Sequence, residues 1–224
     1  MKIYHGSEFI IEKPEYGKGK KHNDYGLGFY CTKDIELAKE WSVTDLRDGY
    51  ANEYELDTDG LKILYLNSEE YNILHWLTIL VRNRKFIDRN NVVTLAKKYL
   101  TDNFSIDTSG YDLIIGYRAD DSYFRFAQDF LSNIISIGML TKAMKLGNLG
   151  EQIVLVSKKA FEKIEFVGSS PVSKDVYAPL RNKRNEDAKN EYLKVTRSGI
   201  LNKDELLMID IIRQEIKEND IRLR

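Results

Sequence analysis

The chain is poor in the residues on which disulfide, metal and hydrolytic sites are usually built. Its single cysteine, Cys31, excludes an internal disulfide framework and fits a reducing cytosol. Cys31 follows two aromatic residues and reads as a small buried side chain rather than a nucleophile. The three histidines, His5, His22 and His75, stand far apart with no His-x-x-x-His or Cys/His spacing, so no metal is expected. There is no Gly-x-Ser-x-Gly elbow for a serine nucleophile. Nor is there a Gly-x-x-x-x-Gly-Lys-Ser/Thr loop to cradle phosphates. No segment is apolar for long enough to span a membrane, and Met1 to His5 opens no leader-like apolar run, so a cytoplasmic location is expected. The formal charge is only −1, which gives no general attraction to nucleic acid or anionic lipid and leaves a local patch as the one electrostatic route to either.

What is present describes an ordinary folded chain. With 224 residues, 42% apolar and 31% charged, it can fill one core and carry a small appendage. Lys2 to His5 reads as a short strand that ends at Gly6-Ser7, and Glu8 to Lys21 as a lysine-rich surface loop. Asp24-Tyr25-Gly26-Leu27-Gly28-Phe29-Tyr30-Cys31-Thr32 is a tight glycine bend opening into an aromatic strand. Thr32 is placed to cap a helix over Lys33 to Val43, whose stripe is Ile35, Ala38 and Trp41. Ala51 to Asp57 and Leu61 to Leu66 read as a hairpin across Asp57-Thr58-Asp59-Gly60. Helices follow from Asn67 to about Arg84 and over Asn91 to Leu100, with His75 a structural residue in the first. Tyr111 to Gly116 is a buried strand by its continuous apolar run, and Ser122 to Ser132 a helix that Asp120 or Asp121 could cap. A short helix around Met139 to Lys145 ends at Gly147, and Gly150 to Val156 reads as the last clear core strand.

Past Pro171 the composition shifts. Arg181 to Asn190 is almost entirely charged and polar, as in a solvated helix face or a linker. Asn202 to Glu205 then caps a helix whose apolar stripe is Leu206, Ile209, Ile212 and Ile216, a face that must pack on this domain or on a partner.

One ordered set of short motifs resembles a known superfamily. Tyr4-His5-Gly6-Ser7, then Gly26-Leu27-Gly28-Phe29-Tyr30, then Trp41 eleven residues beyond Tyr30, then Glu151-Gln152-Ile153-Val154, is similar to the His-Tyr-Glu branch of the ADP-ribosyltransferases. More closely, the chain resembles a bacterial domain-of-unknown-function family placed in that superfamily and often encoded in toxin–antitoxin-like loci. The likeness covers roughly the first three quarters of the chain and takes in Asp112 to Gly116 and Ala119-Asp120-Asp121. It implies an α+β fold with a split sheet around a cleft for NAD⁺, in a catalytic domain over residues 1–170, with a helical extension over 171–224.

It also implies roles. His5 would hydrogen-bond a ribose hydroxyl, Gly6 would offer backbone N–H and C=O to the carboxamide, and Ser7 and Gly28 would lie along the dinucleotide. Tyr30 would stack on nicotinamide and Trp41 would wall the pocket. Glu151 and Gln152 are neighbours on a strand, so only one can enter the cleft. The acid-x-Ile-Val pattern points to Glu151 and the closer bacterial family to Gln152, the residue this reading favours. Asp120 and Asp121 either cap a helix and pair with Arg118 or Arg125, or orient the acceptor or a ribose. The implied function is transfer of ADP-ribose from NAD⁺ to a protein or nucleic-acid acceptor, as a toxin or defence effector held by a small antitoxin. A degenerate NAD⁺-binding module and an NAD⁺ glycohydrolase are the alternatives.

Overall fold

A computed structural model describes residues 1–88, 90–119, 121–146, 150–198 and 205–223. In chain order the strands are β1 (Lys2–Ser7), β2 (Phe29–Cys31), β3 (Gly49–Leu56), β4 (Ile63–Tyr65), β5 (Leu113–Tyr117), β6 (Glu151–Leu155) and β7 (Ile164–Val172). The helices are α1 (Ile35–Ser42), α2 (Ile73–Asn83), α3 (Asn91–Asn103), α4 (Asp121–Leu131), α5 (Ile137–Ala143), α6 (Lys158–Glu162), α7 (Lys174–Ser198) and α8 (Met208–Arg213). The fold class is mixed α+β. Among the described residues no helix is long and apolar enough to cross a membrane.

Two sheets form, with strand orders β1-β3-β7 and β2-β6-β5-β4. All neighbours are antiparallel except β4 and β5, which run parallel. Among the described residues one isolated bridge joins the sheets: Tyr4 N–H donates to the Thr32 carbonyl at 2.8 Å, and Thr32 N–H donates back to the Tyr4 carbonyl at 2.9 Å. Ile3, Cys31, Tyr54, Leu113, Ile115 and Ile153 fill the space between the sheets. On the other face of the second sheet, Leu64, Ile114 and Val154 meet the main core of α2 to α5. Apolar contacts on both faces explain why β5 and β6 read as unbroken hydrophobic runs.

Several expectations are corrected. Thr32 does not cap α1. Asp34 does, its carboxylate accepting from the N–H groups of Glu36 at 2.8 Å and Leu37 at 3.3 Å, while the Thr32 hydroxyl accepts from Asp34 N–H. The hairpin is absent, because β3 belongs to the first sheet and β4 pairs with β5 in the second. The helix expected from Asn67 starts at Ile73, capped by Asn72, with His75 completing the capping box. Gly150 to Val156 is followed by a further strand, β7, on the far edge of the first sheet, where Pro171 costs no ladder bond.

The polar run Arg181 to Asn190 lies inside the 25-residue helix α7. The last helix begins at Met208, so the buried residues are Leu206, Met208, Ile211 and Ile216, with Ile209 and Ile212 only half-buried. Gly147 and residues 202–204, expected at helix ends, lie outside the described residues. The segment after Val172 shares the main core, through Ala188, Tyr192, Met208 and Ile211.

Candidate functional site

The site begins where β1 and β2 part beyond the Tyr4–Thr32 bridge. Backbone groups alternate sides along a strand, and Tyr4 spends its N–H and C=O on Thr32. Gly6, two residues on, therefore presents its N–H and C=O along that same edge. Its missing side chain is required by packing: a Cβ there would come within 2.1 Å of the Ala38 carbonyl oxygen and 2.8 Å of the Ser42 nitrogen. Helix α1 thus lies directly on the glycine and brings Glu40 and Trp41 to the same cleft.

His5 is fixed from two sides. Its Nδ1–H donates to the Tyr30 carbonyl at 2.7 Å, and its ring stacks on Phe29 with centroids 4.3 Å apart. Burial lowers its pKa, with the Tyr30 hydrogen bond pulling the other way. The imidazole is therefore neutral at ordinary pH, and its Nε2 is an acceptor. Gly26 takes a positive φ of 78° at the bend, and the Tyr30 hydroxyl is tied into that bend. It donates to the Gly26 carbonyl at 2.7 Å and accepts from Tyr25 N–H at 3.0 Å. Burial pushes the phenol pKa up, so the hydroxyl keeps its proton.

On β6 the two neighbours part company. Gln152 is buried and lines the cleft, and its Oε1 is shut from solvent with no hydrogen-bond partner. Glu151 is not among the lining residues, and its carboxylate accepts from Asn67 Nδ2 at 2.9 Å. An unpaired buried acceptor costs about 1–3 kcal/mol.

His5, Gly6, Gly28, Tyr30, Trp41 and Gln152 thus line one cleft of about 990 Å³, at the upper end of small-molecule sites. Ser7 does not line it, and its hydroxyl accepts from Phe9 N–H at 3.2 Å. Asp120 and the side chain of Asp121 lie outside the described residues.

The sequence reading missed the charged walls. Asp24, 5% exposed, accepts from Arg84 Nη1 at 2.7 Å and from Ala119 N–H at 2.8 Å. Burial pushes its carboxyl pKa up against the pull of the Ala119 N–H and of the Arg84 and Arg118 charges. The Arg118 guanidinium lies over the Trp41 ring, 3.9 Å from its centroid. Arg184 of α7 grips the buried Glu40 with two bonds, at 2.8 and 2.7 Å. Arg181 reaches Asp45 at 3.0 Å.

Lys13, Lys18 and Lys20 complete a lining with seven cationic side chains against three acidic ones, Glu15, Asp24 and Glu40. Each of those acids is already ion-paired within the lining. The cleft is therefore built for an anion, though the chain as a whole is nearly neutral. A faint signal was available for Asp24, which directly precedes the glycine bend. None was available for Arg84 or Arg184, whose partners lie sixty and more residues away.

A family model described as "Protein of unknown function (DUF3990)" matches residues 1–166. No curated protein and no solved structure gives a significant match.

Proposed function

The chain belongs to the DUF3990 family, and we propose that its cleft takes NAD⁺ as substrate and transfers ADP-ribose to a macromolecular acceptor. The observation that carries the proposal is convergence. Six residues singled out by the motif resemblance, spread from His5 to Gln152, line one cleft together with a cationic wall. The chemical fit supports it. Gly6 offers an N–H and C=O pair matched to a carboxamide, Gln152 a side-chain amide for a ribose hydroxyl, and the arginines a charge matched to a pyrophosphate.

In the reaction the bond between C1′ and the nicotinamide nitrogen breaks, and its electron pair stays on nicotinamide, which leaves neutral. The acceptor nucleophile bonds to C1′ and gives up its proton. Positive charge develops on the ribose between these events, as in glycoside hydrolysis. Gln152 meets it with a dipole where a carboxylate would meet it with a charge, so hydrolysis without an acceptor is slow. The ADP-ribosyltransferase-like split sheet, the cytosolic location and a role as a toxin or defence effector held by a small partner protein belong to the same proposal.

The test is incubation of the full chain and a cell lysate with NAD⁺ labelled in the adenylate phosphate, with protein and nucleic acid recovered separately. Label in either pool, lost in His5→Ala and Gln152→Ala, supports transfer. Nicotinamide release with no labelled acceptor makes the protein a glycohydrolase. Binding without release makes it an NAD⁺-holding module, the reading favoured by an amide at position 152.

A further inference from the structure

Tyr16 is 50% exposed on the loop at the mouth of the cleft, and the motif-based reading gives it no role. Pro14, which is buried, anchors that loop, and Gly17 and Gly19 turn it with positive φ of 83° and 114°. A Cβ on Gly19 would stand 3.6 Å from the Gly28 carbonyl oxygen, so the loop lies against the glycine bend that leads to Tyr30. Lys13, Lys18 and Lys20 line the cleft from this loop. Lys18 is held by Glu15 at 2.7 Å, and Glu8 by Arg47 at 2.8 Å. Lys13, Lys20 and Lys21 are exposed and, among the described residues, have no ion-pair partner. The Tyr16 ring is fixed among these cations. It meets Phe161 at 84° with centroids 5.7 Å apart, and Lys158 Nζ stands 5.9 Å from its centre. Phe161 leans on Phe29, which stacks on His5, so a line of rings runs from the rim to the cleft. Lysines by themselves would serve an acidic peptide. An exposed ring held between them adds a platform for a base, and cations interleaved with a stacking ring are the chemistry that holds single-stranded nucleic acid. A single strand can also splay one base into a cleft while its phosphates stay outside.

We propose that this rim is a track for single-stranded nucleic acid, with Lys13, Lys20, Lys21 and Lys158 meeting phosphates and Tyr16 stacking a base, and that the strand is the acceptor. The role as acceptor rests on the transfer reading of the cleft, whereas the binding does not. In the transfer a base nitrogen bonds to C1′ of the ribose as the bond from C1′ to nicotinamide breaks. The electron pair of that bond leaves with nicotinamide, and the proton of the base nitrogen passes to water.

Fluorescence anisotropy of short labelled RNA and DNA strands, titrated with the full chain, tests the track, and NAD⁺ labelled in the adenylate phosphate tests the acceptor. A strand should bind more tightly than an acidic peptide of the same charge, with an affinity that falls as salt rises, and should take up label. The RNA and DNA arms show which sugar the rim accepts. Lys21→Gln combined with Lys158→Gln should reduce the slope of log affinity against log salt by about 0.7 for each lysine. Tyr16→Ala should weaken the strand about tenfold and leave the calorimetric affinity for NAD⁺ unchanged, since the ring stands outside the cleft lining. Tyr16→Phe keeps the ring and should bind like wild type. No strand binding at low salt, or binding that none of these changes weakens, overturns the proposal. So does tighter binding of the acidic peptide. Label that enters only protein when a lysate is supplied also overturns it, and leaves the transferase standing. Strand binding that depends on Tyr16, in a protein that transfers ADP-ribose to nothing, upholds the track and sinks the transferase, and with it the strand's role as acceptor.

Discussion

Gln152→Met separates the binding role of this side chain from a structural one, because the two pull stability in opposite directions. Gln152 is buried with its Oε1 unpartnered, and Met is unbranched and of similar length. Replacing an unsatisfied acceptor with an apolar group removes a cost of about 1–3 kcal/mol. For a chain of this size each kcal/mol moves the melting temperature by roughly 2–4 °C. The variant should therefore melt a few degrees above wild type without ligand. It should also lose the hydrogen bond to the ribose and bind NAD⁺ about 10–100-fold more weakly. At a ligand concentration near 100 Kd, wild type gains about 2.7 kcal/mol of stability. A variant with a hundredfold weaker site gains only a few tenths, from the same relation. The variant should then melt higher than wild type without NAD⁺, and the gap should narrow or reverse when NAD⁺ is added, because the ligand stabilises wild type more. Glu151→Gln should leave transfer within about threefold, since its carboxylate is turned to Asn67. If Gln152→Met melts several degrees lower without ligand, the amide is holding the fold and the argument fails.

The other expectations are shorter. The pKa of His5 is depressed in the fold, so the unfolded chain binds more protons below its ordinary value of 6.5. Its contribution to stability is complete above that pH and drains away on acidification, and urea midpoints of wild type minus His5→Gln should show that acid limb. Tyr30→Phe keeps the ring but strands the Gly26 carbonyl and the Tyr25 N–H, and should lower stability by about 1–3 kcal/mol, read as a denaturation midpoint. Arg184→Met leaves Glu40 buried without its bidentate partner and should cost about 3 kcal/mol, whereas Arg184→Met with Glu40→Leu should recover part of it, a double-mutant cycle that checks the pair. Ending the chain after Val172 removes Leu206, Met208, Ile211 and Ile216 from the main core. At about 1.5–3 kcal/mol for each buried side chain, the loss rivals the whole stability of a domain, so that fragment should show no cooperative melt in calorimetry.

Strands with a strong local pattern were legible, and those whose identity depends on a distant neighbour were not. Leu113 to Gly116 and Ile153 to Leu155 are apolar on both faces because both faces are covered, and continuous runs of that kind announce themselves. β4 has the pattern of a strand, but nothing in Ile63–Tyr65 says that it pairs with β5 fifty residues on. β7 hides behind Gly168-Ser169-Ser170-Pro171, residues that read as a turn and are tolerated because the strand is an edge. The Thr32 cap misreads two polar residues two positions apart that both accept from backbone N–H groups, with Asp34 holding the helix. In the site, the glycines and aromatics of Gly26 to Tyr30 carry local signals. The choice between Glu151 and Gln152 does not, since alternation says that they diverge without saying which way. Asp24, Arg84 and Arg118 meet only through tertiary structure.

The cleft also shows why the end of the family match is not the end of the site. Residues 1–166 contain the motif positions and both sheets apart from most of β7, yet Arg181, Asn182, Arg184 and Asn185 line the cleft from α7. Arg184 fastens α7 to Glu40, the residue before Trp41 on α1. The same α1 rests on Gly6 with no room for a methyl group. A force on α7 therefore reaches the helix that positions Trp41, over which Arg118 lies, through this ion pair together with the Tyr177–Glu36 hydrogen bond and the Arg181 bond to the Val43 carbonyl. Packed contacts of this kind have discrete arrangements and do not stretch. The C-terminal helix is thus a wall of the site and a brace for the aromatic face within it, and the chemistry of residues 5 to 152 is set in part by residues beyond 172.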